Sequence, residues 1–390
     1  MKFELDEDKA MLREAAREFL KETFPLERVR ELDEAGEFPF DLYKDIADMG
    51  WLGIPFAEEL GGAGGDPIDE SIIMEELGRA MGPFASAVLI SVLTCGKTLR
   101  DVGTPEQRER WLPGVIDGSN IFAFALTEPQ AGSDAAAMLT RATRDEDGWK
   151  LNGQKIWSTG SGFATHLLVM ARTDDRPGAE RADVGMFVVE TDRAGLEISP
   201  IPKLGLHPTP SCTIFFDDVH IPAENALGDP AGAWKHVTSS LNRERLAISS
   251  MCTGMAQAAL DFAMQYAAER DQFGHLINEF DAVQQHLAEM IAAVENSRAL
   301  MRRAAWLESK GESSTRAASA AKVISASACV ETARRGMRVL GGNGYGNEYP
   351  MQRFLRDGLI HPIAGGSNEI QRNIISDDLL RNAEVRNATV

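Results

Sequence analysis

Cysteine is scarce and scattered: Cys95, Cys212, Cys252 and Cys329 form no Cys-x-x-Cys pair in 390 residues. That spacing excludes a disulfide framework and a thiolate metal knuckle. The four read as reduced, mostly buried thiols of a cytoplasmic protein. Histidine is nearly as sparse, with seven residues, no His-Glu-x-x-His spacing and no Cys/His cluster, so no metal site is expected. Basic residues are outnumbered: 40 Lys and Arg against 59 Asp and Glu leave a net charge of −19. Such a balance disfavours nucleic acid and anionic membranes, which require clustered cations. A few well-placed Arg would still suffice for a phosphate-bearing cofactor. No apolar run approaches the roughly 20 residues that cross a bilayer. The first residues, MKFELDEDKAMLREAAREFL, are amphipathic and acidic. They lack the basic, then apolar, then small-residue order of a signal peptide, so export is not expected.

What is present is a globular composition, 44% hydrophobic, in a chain long enough for two or three domains. Residues 1–120 are helical in pattern. Met11, Leu12, Ala15, Phe19 and Leu20 recur at helical spacing, as do Ile72, Ile73, Met74 and Leu77. Breaks at Gly61–Pro67 and Gly82–Pro83 separate the helices. Residues 121–232 change texture. Asn120–Leu126, His166–Arg172, Val184–Glu190 and Thr213–Ile221 are short β-branched or aromatic runs, divided by turns such as Asp145–Gly148 and Asp174–Gly178. Residues 233–390 return to long helices, and Ala233–Arg270 contains no Pro. The expectation is a mainly α protein with a middle antiparallel β domain, free of repeats and low-complexity tracts.

Two segments about thirty residues apart carry the chemistry: ALTEPQAGSD at Ala125–Asp134 and KIWSTG at Lys155–Gly160. Each places a hydroxyl (Thr127, Thr159) at a turn or strand end, among glycines and apolar or aromatic neighbours (Phe124, Leu126, Trp157). Such a surface can hold a flat, hydrogen-bonding ring over an apolar floor. Each alone also reads as an ordinary polar turn or a half-buried aromatic. Together they resemble the flavin-binding region of the acyl-CoA dehydrogenase family, and the likeness extends over nearly the whole chain. It implies the family's helical–β–helical fold and an FAD cofactor. The amides and hydroxyl around Thr127, with Gly132, would meet the flavin pyrimidine edge. Ser133 would approach the pantetheine of coenzyme A or the flavin phosphates. Trp157 would cover one side of the isoalloxazine, and Ser158 and Thr159 would lie near its N5.

Two further runs share the family's pattern. Arg270–Gly274, RDQFG, suffices as a helix C-terminal cap. In the family this run binds the pyrophosphate of FAD held by a neighbouring subunit, a role suited to a fixed guanidinium. Arg270, Gln272 and Phe273 are carried over on that basis, with a homo-oligomer, dimer of dimers, as the implied assembly. Gly341–Gly346, GGNGYG, is not a dinucleotide fingerprint, because its spacing and surroundings are wrong. The resemblance brings Gly341 and Gly342 to the partner's adenosine end, with Arg338 standing where the family usually has Gln.

The informative departure lies in His361–Arg372, HPIAGGSNEIQR. Many family members carry Tyr-Glu-Gly-Thr here, and that Glu removes the substrate α-proton. Aligned on Ile370–Arg372, the Glu position is Gly365 and the Tyr position is Ala364, while Ser367 and Glu369 keep the pattern expected at FAD. A substitute carboxylate stands in the long helix. Leu241, Glu244, Ile248, Met251, Met255 and Phe262 share one helix face, so Glu244 sits on an apolar stripe where burial would raise its pKa. The alternative is a carboxylate paired with an Arg in the core. The sequence Glu244–Leu246, ERL, matches a minority branch that includes isovaleryl-CoA dehydrogenase-like enzymes, whose catalytic Glu occupies this position. Arg245 matches a family Arg that contacts coenzyme A, and Arg243 reads as a solvated neighbour.

The implied reaction is α,β-dehydrogenation of an acyl-CoA to the trans-2-enoyl-CoA, with electrons passed to an electron-transfer flavoprotein. Gly365 would keep the backbone N–H that meets the developing enolate oxygen. Ala364, Gly365 and Gly366 imply unusual room, hence a bulky or branched acyl group. Rival readings are a silent FAD-binding subunit of a heteromeric dehydrogenase and a flavin oxidase or monooxygenase on the same fold.

Overall fold

The computed structural model describes residues 5–173 and 183–388; the turn read at Asp174–Gly178 lies outside them. Helices come first: α1 (Glu7–Thr23), α2 (Leu26–Ala35), α3 (Phe40–Asp48), α4 (Pro67–Ala80), α5 (Gly82–Val88), α6 (Lys97–Val102) and α7 (Pro105–Ile116). The strands follow as β1 (Phe122–Ala125), β2 (Arg141–Asp145), β3 (Gly148–Thr159), β4 (His166–Arg172), β5 (Val184–Glu190), β6 (Leu196–Pro200), β7 (Ser211–Pro222) and β8 (Ala226–Leu227). Long helices close the chain: α8 (Ala233–Glu269), then the ribbon β9 (Asp271–Gln272) and β10 (His275–Leu276), α9 (Asp281–Ser309), α10 (Thr315–Leu340), α11 (Gly342–Tyr345), α12 (Met351–Gly358) and α13 (Asn368–Ala388).

Local chemistry sets these boundaries. Asp66 caps α4 by accepting from the N–H groups of Ile68 and Asp69, Asp69 returns the bond to the Asp66 N–H, and Pro67 follows at the first helical position. Thr104 and Gln107 make the same reciprocal cap on α7. Ile72, Ile73, Met74 and Leu77 are all buried. In α1 the inward stripe is Leu12, Ala16, Phe19 and Leu20, whereas Met11 and Ala15 are exposed.

The stretch Gly82–Val102, which includes a π-helical turn at Leu89–Gly96, does have the length and hydropathy of a membrane span. This corrects the expectation that no run comes close. Its apolar window is 94% buried inside the protein, because α4, α8 and β1 pack around it. The four cysteines are buried free thiols.

The β part is one sheet in the order β6-β7-β3-β2-β4-β5-β8, with β1 added alongside β4. Most neighbours are antiparallel, as expected, but β1 runs parallel to β4 from Phe122↔His166 to Ala125↔Val169. That pairing brings the exit of β1 to the C-terminal end of β3, where the Ile156 N–H donates to the Thr127 carbonyl. The turn read at Asp145–Gly148 is the β2–β3 hairpin, where Asp145 pairs with Gly148. In the C-terminal part, α8 is the central strut, packed on α4, α9 and α10. It crosses α4 at glycine. A Cβ on Gly254 would stand 1.9 Å from the Glu75 carbonyl oxygen, and one on Gly78 would stand 2.3 Å from the Met251 carbonyl oxygen. The two backbones thus approach too closely for any larger residue.

Candidate active site

The two hydroxyl-bearing segments are fastened to each other. Ser158 Oγ donates to the Phe124 carbonyl (2.9 Å), Lys155 Nζ donates to the Leu126 carbonyl (2.9 Å), and the Ile156 N–H donates to the Thr127 carbonyl (2.9 Å). The fastener at the centre was not singled out in the sequence. It is a buried ion pair, Lys155 Nζ to Glu128 Oε1 at 2.8 Å, with side chains 0% and 2% exposed. Glu128 also accepts the N–H groups of Leu139 (2.6 Å) and Thr140 (2.9 Å). Burial alone would raise the Glu128 carboxyl, but the Leu139 N–H, Lys155 and Thr140 overcome it and hold it down to about 2. Burial lowers Lys155 to about 8 against the pull of Glu128. The Glu128 oxygens are saturated with donors, which holds the carboxylate charged. Both residues lie inside the quoted motifs, the Glu of ALTEPQAGSD and the Lys of KIWSTG. A buried charge in each was the available signal.

This fastener leaves an open face. Trp157 is 51% exposed and holds φ +61° where β3 slips register against β7 between Lys155 and Ser158. A left-handed backbone at a bulky residue costs about 1–2 kcal/mol, and such strain gathers at functional sites. Trp157 is therefore not a half-buried sheet aromatic. Thr127 and Leu126 are half-buried, and Gly132 and Ser133 are exposed. Phe124 is half-buried against the helical core. Thr159 Oγ1 lies 3.0 Å from Ser211 Oγ. The Ser158 side chain is buried and bonded to β1, so its hydroxyl is turned away from the open face and only its main chain could meet a ring there. An open, strained indole beside partly free hydroxyls and a glycine-bearing loop fits a planar ring with polar edges.

The second cluster joins α8 to the loop before α13. Gly365 and Gly366 hold φ +62° and +74°. A Cβ built on Gly365 would lie 3.6 Å from Glu244 Oε1 and 2.3 Å from Ile248 Cδ1. The carboxylate of α8 therefore faces the main chain at the position where the sequence lacks one. Glu244 keeps part of its surface open yet lies deep in the protein. Burial raises its pKa, and the charges of Arg245 and Lys322 oppose that rise. It forms no ion pair among the described residues, unlike the core-paired alternative. Ile248, Met251 and Met255 are buried on the same face and Phe262 is half-buried, as the stripe predicts; the Leu241 side chain lies outside the described residues. Arg245 is buried. Arg243 bonds Asp101 and is not merely solvated. The expected room at 364–366 is reduced: Ile248 fills the space beside Gly365 and Gln371 Nε2 that beside Gly366. Ala364 presents a small, exposed wall.

The remaining residues gather elsewhere. Arg270 ends α8 by donating its N–H to Tyr266 O (3.0 Å). Gly274 is not part of that cap. Phe273 (φ +58°) and Gly274 (φ +77°) form the two-residue turn of the β9–β10 ribbon, paired at Gln272↔His275. Phe273 is 92% exposed, and Gln272 is exposed. Asn343 Nδ2 donates to Tyr266 Oη (2.8 Å), which joins the GGNGYG turn to the end of α8. Arg338 lies in the last turn of α10, before Gly341 and Gly342. Ser367 Oγ accepts the Ile370 N–H at the start of α13, and Glu369 is exposed and pairs with Arg372. No hydrogen bond among the described residues ties the ribbon to the Trp157 face.

Comparison with known proteins gives the family. The acyl-CoA dehydrogenase N-terminal, middle and C-terminal domain descriptions match residues 6–119, 123–219 and 232–380. The mitochondrial short-chain specific acyl-CoA dehydrogenase of Bos taurus is 36% identical over 97% of this chain and 91% of its own length. The caffeyl-CoA reductase-Etf complex subunit CarC of Acetobacterium woodii is 35% identical over 96% of this chain and 99% of its own. The butyryl-CoA dehydrogenase structure from Megasphaera elsdenii superposes with a TM-score of 0.92 at 31% identity, covering 97% of this chain and 100% of that one. The fold and matches define a flavoprotein oxidoreductase acting on acyl-CoA, and the chain belongs to the acyl-CoA dehydrogenase family. FAD is the cofactor of that family.

Proposed function

We propose that this chain dehydrogenates a branched acyl-CoA thioester between Cα and Cβ, with Glu244 as the base, in the manner of the isovaleryl-CoA branch. The observation that carries the reading is the 3.6 Å between Glu244 Oε1 and the Cβ position of residue 365. A carboxylate reaching that point from α8 occupies the ground that a side chain at 365 would otherwise take. Bound FAD supplies the two-electron acceptor for the β-hydrogen. The Glu244 carboxylate takes the α-proton, and a raised pKa suits a base working near neutral pH. The Gly365 N–H is the donor for the thioester oxygen as charge grows there. Thr127, Gly132, Trp157 and Thr159 would hold the flavin ring, and Ser133 and Arg245 the coenzyme A moiety. Ala364 supports a branch on the acyl group. Arg270, Gln272 and Phe273, with Gly341 and Gly342, would reach FAD in a second copy of the chain, making the working form a homo-oligomer. An electron-transfer flavoprotein is the proposed acceptor, in keeping with the Etf-complex relative.

Glu244→Gln is the test. It is expected to bind FAD normally and lose turnover of isovaleryl-CoA by about a thousandfold or more. Near-normal turnover would sink the base assignment. Preference for butyryl-CoA over isovaleryl-CoA in the wild type would count against the branched substrate.

A further inference from the structure

Lys322 is a wholly buried lysine, 0% exposed, on the inner face of α10. Its ammonium donates to the Gly366 carbonyl (2.9 Å) and to Asn368 Oδ1 (3.2 Å). Asn368 is itself held by Ser327 Oγ (3.2 Å). Gln371 Nε2 reaches the Gly365 carbonyl (3.2 Å) and the Gly366 carbonyl (3.1 Å) from the other side. The two left-handed glycines, which alone would be free to turn, are thus gripped by an ammonium and an amide. Gly366 meets Lys322 directly, while Gly365 meets Glu244, so the lysine and the carboxylate flank the same dipeptide.

We propose that Lys322 is a positioning residue for the dehydrogenation: its ammonium fixes the Gly365–Gly366 peptides and supplies the positive field that keeps the Glu244 carboxylate charged before substrate enters. The proposal rests on the base reading above. A neutral clamp would hold the loop equally well, and Gln371 already provides one. A buried cation is costly, so its charge points to a partner that uses it. The other groups facing this pair are few. Glu244 meets Arg245 on its own helix and Cys95 from the π-helical turn. Lys322 meets Cys252 and Arg245 on α8, Glu369 on α13 and His361 in the preceding loop. Burial lowers Lys322 to about 8 against the pull of Cys252 and Glu244, so it stays protonated near neutral pH. Burial also lowers His361, to about 4, leaving that ring uncharged there. Among the described residues, Arg245 and Lys322 are thus the two cations acting on Glu244.

The experiment compares holoenzyme carrying Lys322→Gln or Lys322→Arg with the wild type, using isovaleryl-CoA and ferrocenium as the probe pair. Two readouts are taken: the pH dependence of kcat/KM, and the titration of the Glu244 carboxyl by difference infrared spectroscopy against Glu244→Gln. Lys322→Gln is expected to move the carboxyl titration upward and to cut kcat/KM on the acid side about tenfold. Lys322→Arg is expected to leave the titration near its wild-type position. A wild-type titration in Lys322→Gln would overturn the proposal, and the infrared signal reports this even if Glu244 is not the base. Should Lys322→Gln fail to fold, Asn368→Ala keeps the charge and removes one anchor. It is expected to lower kcat with FAD content and acid limb unchanged, and an unchanged kcat would refute the clamp.

Discussion

Glu128→Gln tests the fastener beneath the Trp157 face. The carboxylate accepts from Lys155 Nζ at 2.8 Å and from the N–H groups of Leu139 and Thr140 at 2.6 and 2.9 Å. The amide of Gln brings one oxygen and one NH2, so a donor must confront a donor. With its oxygen turned to Lys155 and Thr140, the amide sets its NH2 against the Leu139 N–H; turned the other way, it sets its NH2 against the Lys155 ammonium and the Thr140 N–H. The size of the loss follows from the native carboxyl, whose pKa falls from 4.5 to about 2, a difference worth about 3 kcal/mol. Removing one partner of a buried pair costs about 3–5 kcal/mol on general grounds. Burial of Lys155, which lowers it to about 8, works against the pair, so the lower figure is the better expectation. The pH dependence has a definite sign. A carboxyl depressed in the folded state contributes stability above its ordinary value of 4.5 and loses that contribution as the pH falls toward about 2. Wild-type and Glu128→Gln unfolding in urea, followed by tryptophan fluorescence, are compared at pH 7, 5, 4 and 3. The gap is expected near 3 kcal/mol at pH 7 and is expected to close progressively below pH 5. A gap below about 1 kcal/mol at pH 7, the scale of an exposed pair, would refute the reasoning. So would a gap that persists undiminished at pH 3.

Two smaller perturbations address other parts of the molecule. Gly254→Ala drives a methyl to 1.9 Å from the Glu75 carbonyl oxygen and 2.7 Å from the Arg79 nitrogen, both backbone atoms of α4; a loss of about 3 kcal/mol or more is expected, and an unchanged thermal midpoint would contradict the close crossing. Phe273→Gly relieves left-handed strain of about 1 kcal/mol and adds a similar unfolded-state entropy, so the apoprotein midpoint is expected to hold while the ratio of bound FAD to protein falls. Retention of full FAD would remove Phe273 from the cofactor site.

The order helix, strand, helix was legible because periodicity changes at about 120 and again near 232, and β1, β4, β5 and β7 announced themselves as apolar runs. The strands β2, β3 and β6 did not. Their residues alternate with Lys, Glu, Arg and Asn on the open side, and β3 hides a buried lysine whose partner is 27 residues away. A charge that is paired across a fold reads in sequence as a solvated charge. The same limit concealed Lys322, an ordinary helix lysine until the loop it grips comes beside it. The ribbon at Phe273–Gly274 was read as a helix cap because Gly after a helix commonly serves that end; the two consecutive left-handed residues that make it a hairpin turn are visible only in the backbone. Glu244 was legible for the opposite reason. A carboxylate on an otherwise apolar stripe violates its own pattern, and conflicts of that kind collect at functional positions.

The carboxylate at 244 and the glycine at 365 are one device. With its left-handed backbone, residue 365 would aim a Cβ into Ile248 Cδ1 at 2.3 Å and toward Glu244 Oε1 at 3.6 Å. A second carboxylate there would meet steric overlap, backbone strain of about 1–2 kcal/mol and like-charge repulsion in a buried pocket. Glycine removes all three at once and leaves an N–H directed by the flanking grip of Lys322 and Gln371. The cost is a flexible dipeptide, and that cost explains why two separate side chains hold its carbonyls. A base on α8, as proposed, would also be positioned differently. A side chain on a loop depends on the loop, whereas Glu244 inherits the rigidity of a 37-residue helix packed through glycine contacts onto α4. In the proposed reaction the acyl group would meet a fixed carboxylate on one wall and the methyl of Ala364 on another. That asymmetry, rather than an enlarged cavity, is the physical ground for expecting a branched chain.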